Sequence, residues 1–74
     1  MESRALGMIE VRGMLGAVEA ADAALKSAAV RLLRSRKVGG GLVTVFLTGE
    51  VAAVRSAVDA AVASLNRLGL QCSS

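Results

Sequence analysis

Few side chains in this 74-residue chain could do chemistry. Histidine is absent, so no imidazole can activate a nucleophile or ligate a metal ion. Cys72 is the only cysteine, which leaves neither a disulfide within the chain nor a cysteine metal cluster. Of the acidic residues, only Glu10 lies in an apolar segment, and we expect it to pair with Arg12 or with a neighbouring subunit. The sequence therefore predicts a protein that is not an enzyme and that uses no metal or other cofactor.

Basic residues are concentrated in one short segment. Four of the nine lysines and arginines fall within residues 31–37, with no acid among them: Arg31, Arg34, Arg36 and Lys37. A basic run of this kind can bind nucleic acid. However, Phe46 is the only aromatic residue, so the stacking surfaces of RNA and single-strand binders are missing. Nucleic acid is therefore a disfavoured partner. The basic run is interpreted instead either as the solvated edge of a strand or as a basic rim around an opening.

Three consecutive glycines, residues 39–41, separate the basic segment from the most strand-like run of the sequence. Glycine loses more conformational entropy than other residues when it is ordered, so three together require a reason. Either the chain turns sharply there, or another backbone approaches it closely. We predict both: a hairpin turn that also lines an opening through an assembly. The run is not a phosphate-binding loop, because a strand follows it and no Lys-Ser/Thr pair does.

The first half of the chain predicts a strand followed by a helix. Residues 4–12 are mostly apolar and end at Gly13, as in a largely buried strand. From residue 14 the period becomes helical, and we expect one face of this helix to be buried: Met14, Val18, Ala21, Leu25 and Ala28. Asp22 and Lys26 lie four apart on the opposite face, with the acid first, which favours an ion pair.

The second half predicts a strand pair and a longer helix. Strands are expected at 30–38 and 42–48, with Thr48 capping the helix that follows and Gly69 ending it. The side chains predicted to be buried on this helix recur at helical spacing: Val51, Val54, Val58, Val62, Leu65 and Leu68. Residues 70–74 fit either a stub of strand or a frayed tail.

The two halves resemble each other, which indicates the architecture. Residues 6–26 align with residues 42–62, so each half consists of a strand, a glycine and an Ala/Val-rich helix. We predict a single domain over residues 1–74 in the α+β class. Its plan is ferredoxin-like (split βαβ), β-α-β-β-α, with the last strand short or missing. Both helices would lie on one face of an antiparallel or mixed sheet.

Composition favours association between chains and a cytoplasmic location. The chain is 54% hydrophobic, but its apolar side chains are mainly Ala, Val and Leu, which stabilise a monomer only modestly. We therefore expect part of the apolar surface to belong to a subunit interface. The longest uncharged stretch, residues 38–49, is too short to cross a bilayer, and residues 1–4 lack the pattern of a secretory signal. No membrane partner is expected.

Three segments together resemble a known family. Residues 5–13 (ALGMIEVRG), 20–28 (AADAALKSA) and 37–44 (KVGGGLVT) are similar, in order and without gaps, to the small hexamer-forming shell proteins of bacterial microcompartments. These proteins tile the shells of carboxysomes and metabolosomes. The resemblance implies a non-enzymatic shell subunit that forms a homo-oligomer, a hexamer, with other shell proteins and encapsulated enzymes as partners.

The resemblance also implies roles for particular residues. The loop between the second and third strands would line a central pore, which places Val38, Gly39, Gly40 and Gly41 around the opening and Arg36 and Lys37 at its rim. Exposed backbone N–H groups and nearby cations would favour small polar or anionic metabolites. Lys26 would lie at the hexamer edge, where its long apolar stem suits packing against the next hexamer.

The chain departs from the family pattern in three places. It has no proline, so the final strand with a Pro-Arg-Pro-like segment is absent; this would leave the outer side of the first strand as an open edge and weaken tiling. Residues 34–36 are more basic than is usual, and Ala29 replaces a common asparagine. The alternative function is a ferredoxin-like regulatory or ligand-binding module that oligomerises and binds an anion or nucleic acid through residues 31–37.

Overall fold

The computed structural model describes residues 4–74, so the expectation about a secretory signal falls largely outside the described residues. The elements in chain order are β1 Arg4–Arg12, α1 Met14–Ser27, β2 Arg31–Gly39, β3 Leu42–Glu50, α2 Val51–Arg67 and β4 Cys72–Ser73. The predicted β-α-β-β-α plan is confirmed, and residues 70–74 contain the stub of strand rather than only a tail. No helix of the described residues is long and apolar enough to cross a membrane.

The strands form one sheet in the order β2-β3-β1-β4, and each neighbouring pair is antiparallel. β1 and β3, the equivalent strands of the two similar halves, lie side by side in the centre, with Ile9 opposite Val45 and Val11 opposite Val43. β4 pairs with β1 only at Glu10 and Val11. This is the strand order of the predicted ferredoxin-like fold.

The core lies between the two helices and one face of the sheet. Alternate residues of the central strands, Ile9 and Val11 in β1 and Val43, Val45 and Leu47 in β3, are at most 3% exposed. The helices cover them with small side chains: Ala17, Ala20, Ala24, Ala57 and Ala61, together with Leu65. The helix-facing residues of both central strands thus alternate along the chain. Because alanine occupies so little space, both helices pack close to the sheet.

The prediction for the buried face of α1 was correct for Ala21 and Ala28, which pack against the core, and wrong for its three larger residues. Met14, Val18 and Leu25 are 45–59% exposed, whereas Ala20 and Ala24 are fully buried. The reason is the short distance between α1 and β1: a Cβ built on the buried Gly16 would lie 2.5 Å from Cγ2 of Val11. Even a methyl group would clash at Gly16, and the other buried positions of α1 carry only alanine, so the larger apolar side chains project outward.

The prediction for α2 was correct in part. Val54 and Leu65 are buried and Val58 packs against the core, but Val51 and Leu68 are 42% and 56% exposed. Ala57 and Ala61 fill the remaining sheet-facing positions.

Of the two predictions for the ends of α2, one was wrong and one was confirmed. The expected Thr48 cap was wrong, because β3 continues through Glu50 and Thr48 instead donates its hydroxyl to the carbonyl of Ala5 at 3.1 Å. At the other end, Gly69 has φ +72° and Leu70 donates to the carbonyl of Leu65 at 2.9 Å, which confirms the predicted stop.

A pair of neighbouring substitutions tests the orientation of α1. Ala24→Leu should lower the free energy of unfolding by about 1–3 kcal/mol, because the core has no room for the added side chain. Leu25→Ala should lower it by less than about 1 kcal/mol, because nearly half of that side chain already contacts water. The free energy of unfolding is measured by urea denaturation, at a protein concentration low enough for oligomers to dissociate. A larger loss for Leu25→Ala than for Ala24→Leu would contradict the orientation.

Candidate functional site

The triple glycine forms the hairpin between β2 and β3. Gly39, Gly40 and Gly41 have φ values of +101°, +61° and +81°. The two turn residues, Gly40 and Gly41, both have positive φ, as the tight type I′ hairpin requires. A Cβ added at Gly39 or Gly40 would meet nothing within 4 Å, so the loop is open in a single chain. Backbone conformation alone thus explains why glycine stands here, and it leaves a tip without side chains.

The tip of the hairpin is fixed by the end of β1. Arg12 donates from Nη1 to the carbonyl of Gly40 at 2.7 Å, and the N–H of Gly13 donates to the carbonyl of Gly41, also at 2.7 Å. Both loop carbonyls are therefore occupied by donors of the same chain. The loop is held against the start of α1 rather than projecting freely.

The basic residues of β2 divide between the two faces of the sheet. Arg34 pairs with Phe46 and Arg36 with Thr44, on the face away from the helices, whereas Lys37 pairs with the core residue Val43. Side chains at paired positions of a sheet lie on the same face, so Arg36 and Lys37 project to opposite faces. Every residue of β2 is exposed.

Register shifts interrupt the pairing of β2 with β3. They fall at Leu33 and Val38, which have no partner residue on β3. A bulge next to the hairpin re-aims the neighbouring side chains. Arg34 is held on its own face by the ring of Phe46, whose centroid lies 5.4 Å from the guanidinium carbon.

Lys26 lies in the last turn of α1, and its side chain is 75% exposed. Its Nζ is 3.0 Å from Oδ2 of Asp22, which confirms the predicted pair. The hydrogen bond from Lys26 to the Asp22 carboxylate raises the pKa of Lys26 above its usual value, and the charge of that carboxylate acts in the same direction. The ammonium group is thus bound within its own helix while most of the side chain stays accessible.

The structure separates the loop from Lys26. The first residue of α1, Met14, follows Gly13 at the loop, and Lys26 lies twelve residues further along the helix. At 1.5 Å per residue this places Lys26 about 18 Å from the loop along the helix axis. Residues 36–41 therefore form one group at one end of the molecule, and Lys26 belongs to the other end.

Arg12 is a residue of this site that sequence reasoning missed. Arg12 was expected as one of two possible partners of Glu10, the other being a neighbouring subunit, but the contact that Arg12 makes is with Gly40, 28 residues away in the chain. No local spacing signals such a contact, because it depends on β1 and β3 lying side by side. Glu10 has no hydrogen-bond or ion-pair partner for its side chain within residues 4–74.

The sequence pattern of the family described as "BMC domain" matches residues 5–74, nearly the whole chain. This chain belongs to the BMC-domain family of bacterial microcompartment shell proteins. The match begins in β1 and includes the triple-glycine hairpin, α2 and β4.

Relatives of this BMC-domain chain are shell proteins. The chain is 49% identical over 69 residues to the bacterial microcompartment shell protein PduA of Citrobacter freundii, covering 93% of this chain and 74% of that protein. It is 54% identical over 65 residues to the carboxysome shell protein CsoS1A of Hydrogenovibrio crunogenus, covering 88% and 68%.

A solved structure has the same BMC fold. The crystal structure of a microcompartment protein from Desulfitobacterium hafniense DCB matches with a TM-score of 0.77 and 41% identity. The match covers 82% of this chain but only 34% of the other, so this chain spans about a third of that protein.

The role of Arg12 as the anchor of the loop is testable by hydrogen exchange. Arg12→Met should accelerate amide exchange at residues 40–42 about fivefold, because the lost hydrogen bond contributes about 1 kcal/mol. Arg36→Met is the matched control, since it removes a nearby exposed guanidinium that makes no contact with the loop carbonyls. Unchanged exchange in Arg12→Met would show that Gly13 alone fixes the loop.

Proposed function

We propose that this chain is a structural shell subunit, not an enzyme, that acts as a single domain and assembles into a cyclic hexamer in the shell of a cytoplasmic bacterial microcompartment. Its partners would be further copies, other shell proteins and the enclosed enzymes. The observation that carries the proposal is the hairpin tip formed by residues 39–41. It bears no side chains, is open on its outer side and is anchored to the same chain.

The geometry of the hairpin suits a position at a symmetry axis. Copies that converge on one axis leave little room for side chains, and the tip presents only backbone. Because the carbonyls of Gly40 and Gly41 accept hydrogen bonds from Arg12 and Gly13, they are held back toward their own chain. Val38, Gly39, Gly40 and Gly41 would then line an opening that small polar or anionic metabolites cross.

The cations next to the hairpin would give the opening a positive field from both sides. Arg36 and Lys37 project to opposite faces of the sheet, so in a flat ring they would stand at opposite mouths of the pore. Each mouth would attract anions, and the attraction would decrease as salt is added.

The exposed apolar side chains support association between copies. Leu15 is 77% exposed, Val18 59% and Leu33 51%, all outside the core. Exposed apolar area of this extent on a small chain is typical of surfaces that bind other proteins. Lys26, about 18 Å along α1 from the loop, would lie at the outer edge of the ring, where neighbouring hexamers meet.

A second candidate rests on the row of arginines along β2. Arg31, Arg34 and Arg36 pair with Thr48, Phe46 and Thr44 and so share the face that the helices leave uncovered. A row of this kind could hold an anion or a nucleic-acid backbone in a ferredoxin-like regulatory module. Such a module would contain two to four chains, and its hairpin tip would not need to lie near a symmetry axis.

Substitution of the central glycine tests the pore. Gly40→Leu should leave rings intact and slow the passage of a small anionic substrate to an enzyme enclosed in reconstituted shells. Because leucine at φ +61° adds about 1–2 kcal/mol of backbone strain, Gly40→Asn is the matched control: asparagine tolerates this conformation and is smaller. We expect the order of permeation to be wild type, then Asn, then Leu. Equal permeation through shells of the wild type, Gly40→Asn and Gly40→Leu would show that residue 40 does not line a pore.

The edge role of Lys26 is tested separately. Lys26→Ala should weaken the tiling of rings into sheets more than it weakens the rings themselves, as observed by electron microscopy and light scattering. Asp22→Asn is the control, because it breaks the ion pair within α1 but keeps the Lys26 side chain. Sheets identical to the wild type in Lys26→Ala would show that the edge assignment is wrong.

A further inference from the structure

The central peptide of the hairpin turn, between Gly40 and Gly41, is held in one orientation. Its carbonyl, on Gly40, accepts the hydrogen bond from Nη1 of Arg12 at 2.7 Å. The described peptide bonds are trans, and in a trans peptide the C=O and N–H groups point in opposite directions. The N–H of Gly41 therefore points away from Arg12, toward the outer side of the loop, and no hydrogen bond within residues 4–74 uses it.

A Gly-Gly turn does not by itself determine this orientation. The type I′ turn has positive φ at both central residues, as Gly40 at +61° and Gly41 at +81° do. The type II′ turn keeps positive φ at the first residue and has negative φ at the second, and glycine tolerates both. The two turns differ by a rotation of the central peptide through roughly half a circle. After that rotation, the carbonyl of Gly40 would point outward in place of the N–H of Gly41.

Arg12 is the contact that distinguishes the two orientations. The rotation changes only ψ of Gly40 and φ of Gly41, so the hydrogen bond from Gly13 to the carbonyl of Gly41 would survive it. The hydrogen bond from Arg12 to the carbonyl of Gly40 would be lost. Arg12 is placed for this contact because β1 pairs it with Leu42, the residue directly after the turn. Since its donor is charged, the bond is stronger than one between neutral groups, and it stabilises the type I′ turn.

We propose that Arg12 is the positioning residue that determines which ions the opening admits, because it turns the N–H of Gly41, and not the carbonyl of Gly40, toward the solute. This inference rests on the proposed function, since it needs the hairpin tip at the axis. An opening lined by N–H groups binds solutes that accept hydrogen bonds, such as carboxylates, whereas one lined by carbonyls binds cations. The charge of Arg12 also polarises the central peptide, which makes the N–H of Gly41 a stronger donor.

Two loop substitutions set the turn type while the charge of Arg12 stays in place. Gly40→Asn creates the Asn-Gly pair of type I′ turns and excludes type II′, which requires glycine at the first central position. Gly41→Ser creates a Gly-Ser pair, which favours type II′. The measured quantity is the ratio of acetate to methylammonium entering reconstituted shells, two ions of similar size and opposite charge. We expect Gly40→Asn to keep the wild-type ratio and Gly41→Ser to lower it at least about fivefold, because an acceptor replaces a donor in every chain.

Removal of the Arg12 side chain separates its effect on the turn from the effect of its charge. Arg12→Met should shift the ratio of the two peptide orientations about fivefold toward type II′, as read from their occupancies in high-resolution crystal structures, and should lower the entry ratio. Adding Gly40→Asn to Arg12→Met should restore the type I′ turn and most of the entry ratio, although the charge is still absent. Arg36→Met is the matched control, because it removes a nearby cation that makes no contact with the loop carbonyls. Adding Gly40→Asn to Arg36→Met should not raise the entry ratio.

The outcomes distinguish a wrong role for Arg12 from a wrong pore. If Arg12→Met with Gly40→Asn has the same low entry ratio as Arg12→Met alone, Arg12 acts only through its charge, and the proposal is overturned. A central peptide that keeps its orientation in the crystal structure of Arg12→Met would overturn it as well. If the pore itself is wrong, Gly40→Leu leaves the entry of both ions unchanged, while the crystal structures still report how Arg12 affects the turn.

Discussion

Three consecutive residues at positive φ are the constraint on which the layout of this molecule depends. Side chains rarely tolerate that conformation, so glycine is favoured at residues 39–41, and the chain reverses within two residues. The reversal places β2 beside β3. It also brings the carbonyls of Gly40 and Gly41 to Arg12 and Gly13, which ties the hairpin to the junction of β1 and α1. A bare tip at one end of the sheet is the consequence, and the proposed pore is built on it.

The small side chains of α1 also leave apolar surface available for assembly. Gly16 and the alanines of α1 bring this helix so close to the sheet that its larger apolar residues have no place in the core. Leu15, Val18 and Leu25 therefore remain on the surface. A chain that buries so little per residue gains stability by association, and the outer face of α1 is one surface available for it.

Much of the fold followed from sequence pattern, and the exceptions have physical causes. The strand positions, the glycine hairpin, the Asp22–Lys26 pair and the stop at Gly69 are local features, and local spacing predicted them. Met14, Val18 and Leu25 of α1 were wrongly predicted to be buried, because the short distance to β1 admits only the smallest residues on the sheet-facing side of this helix. Thr48 was assigned to a helix cap because a hydroxyl there can cap, but β3 continues past it. Arg12 was missed because its partner is 28 residues away.

The central claim is that copies of the hairpin converge on a shared axis, and a cryo-electron microscopy map of the native assembly tests it most directly. The account predicts a ring of about six chains with residues 39–41 of every copy nearest the centre. A map that shows two to four chains, or residues 39–41 at the periphery and far from any rotational neighbour, would contradict it.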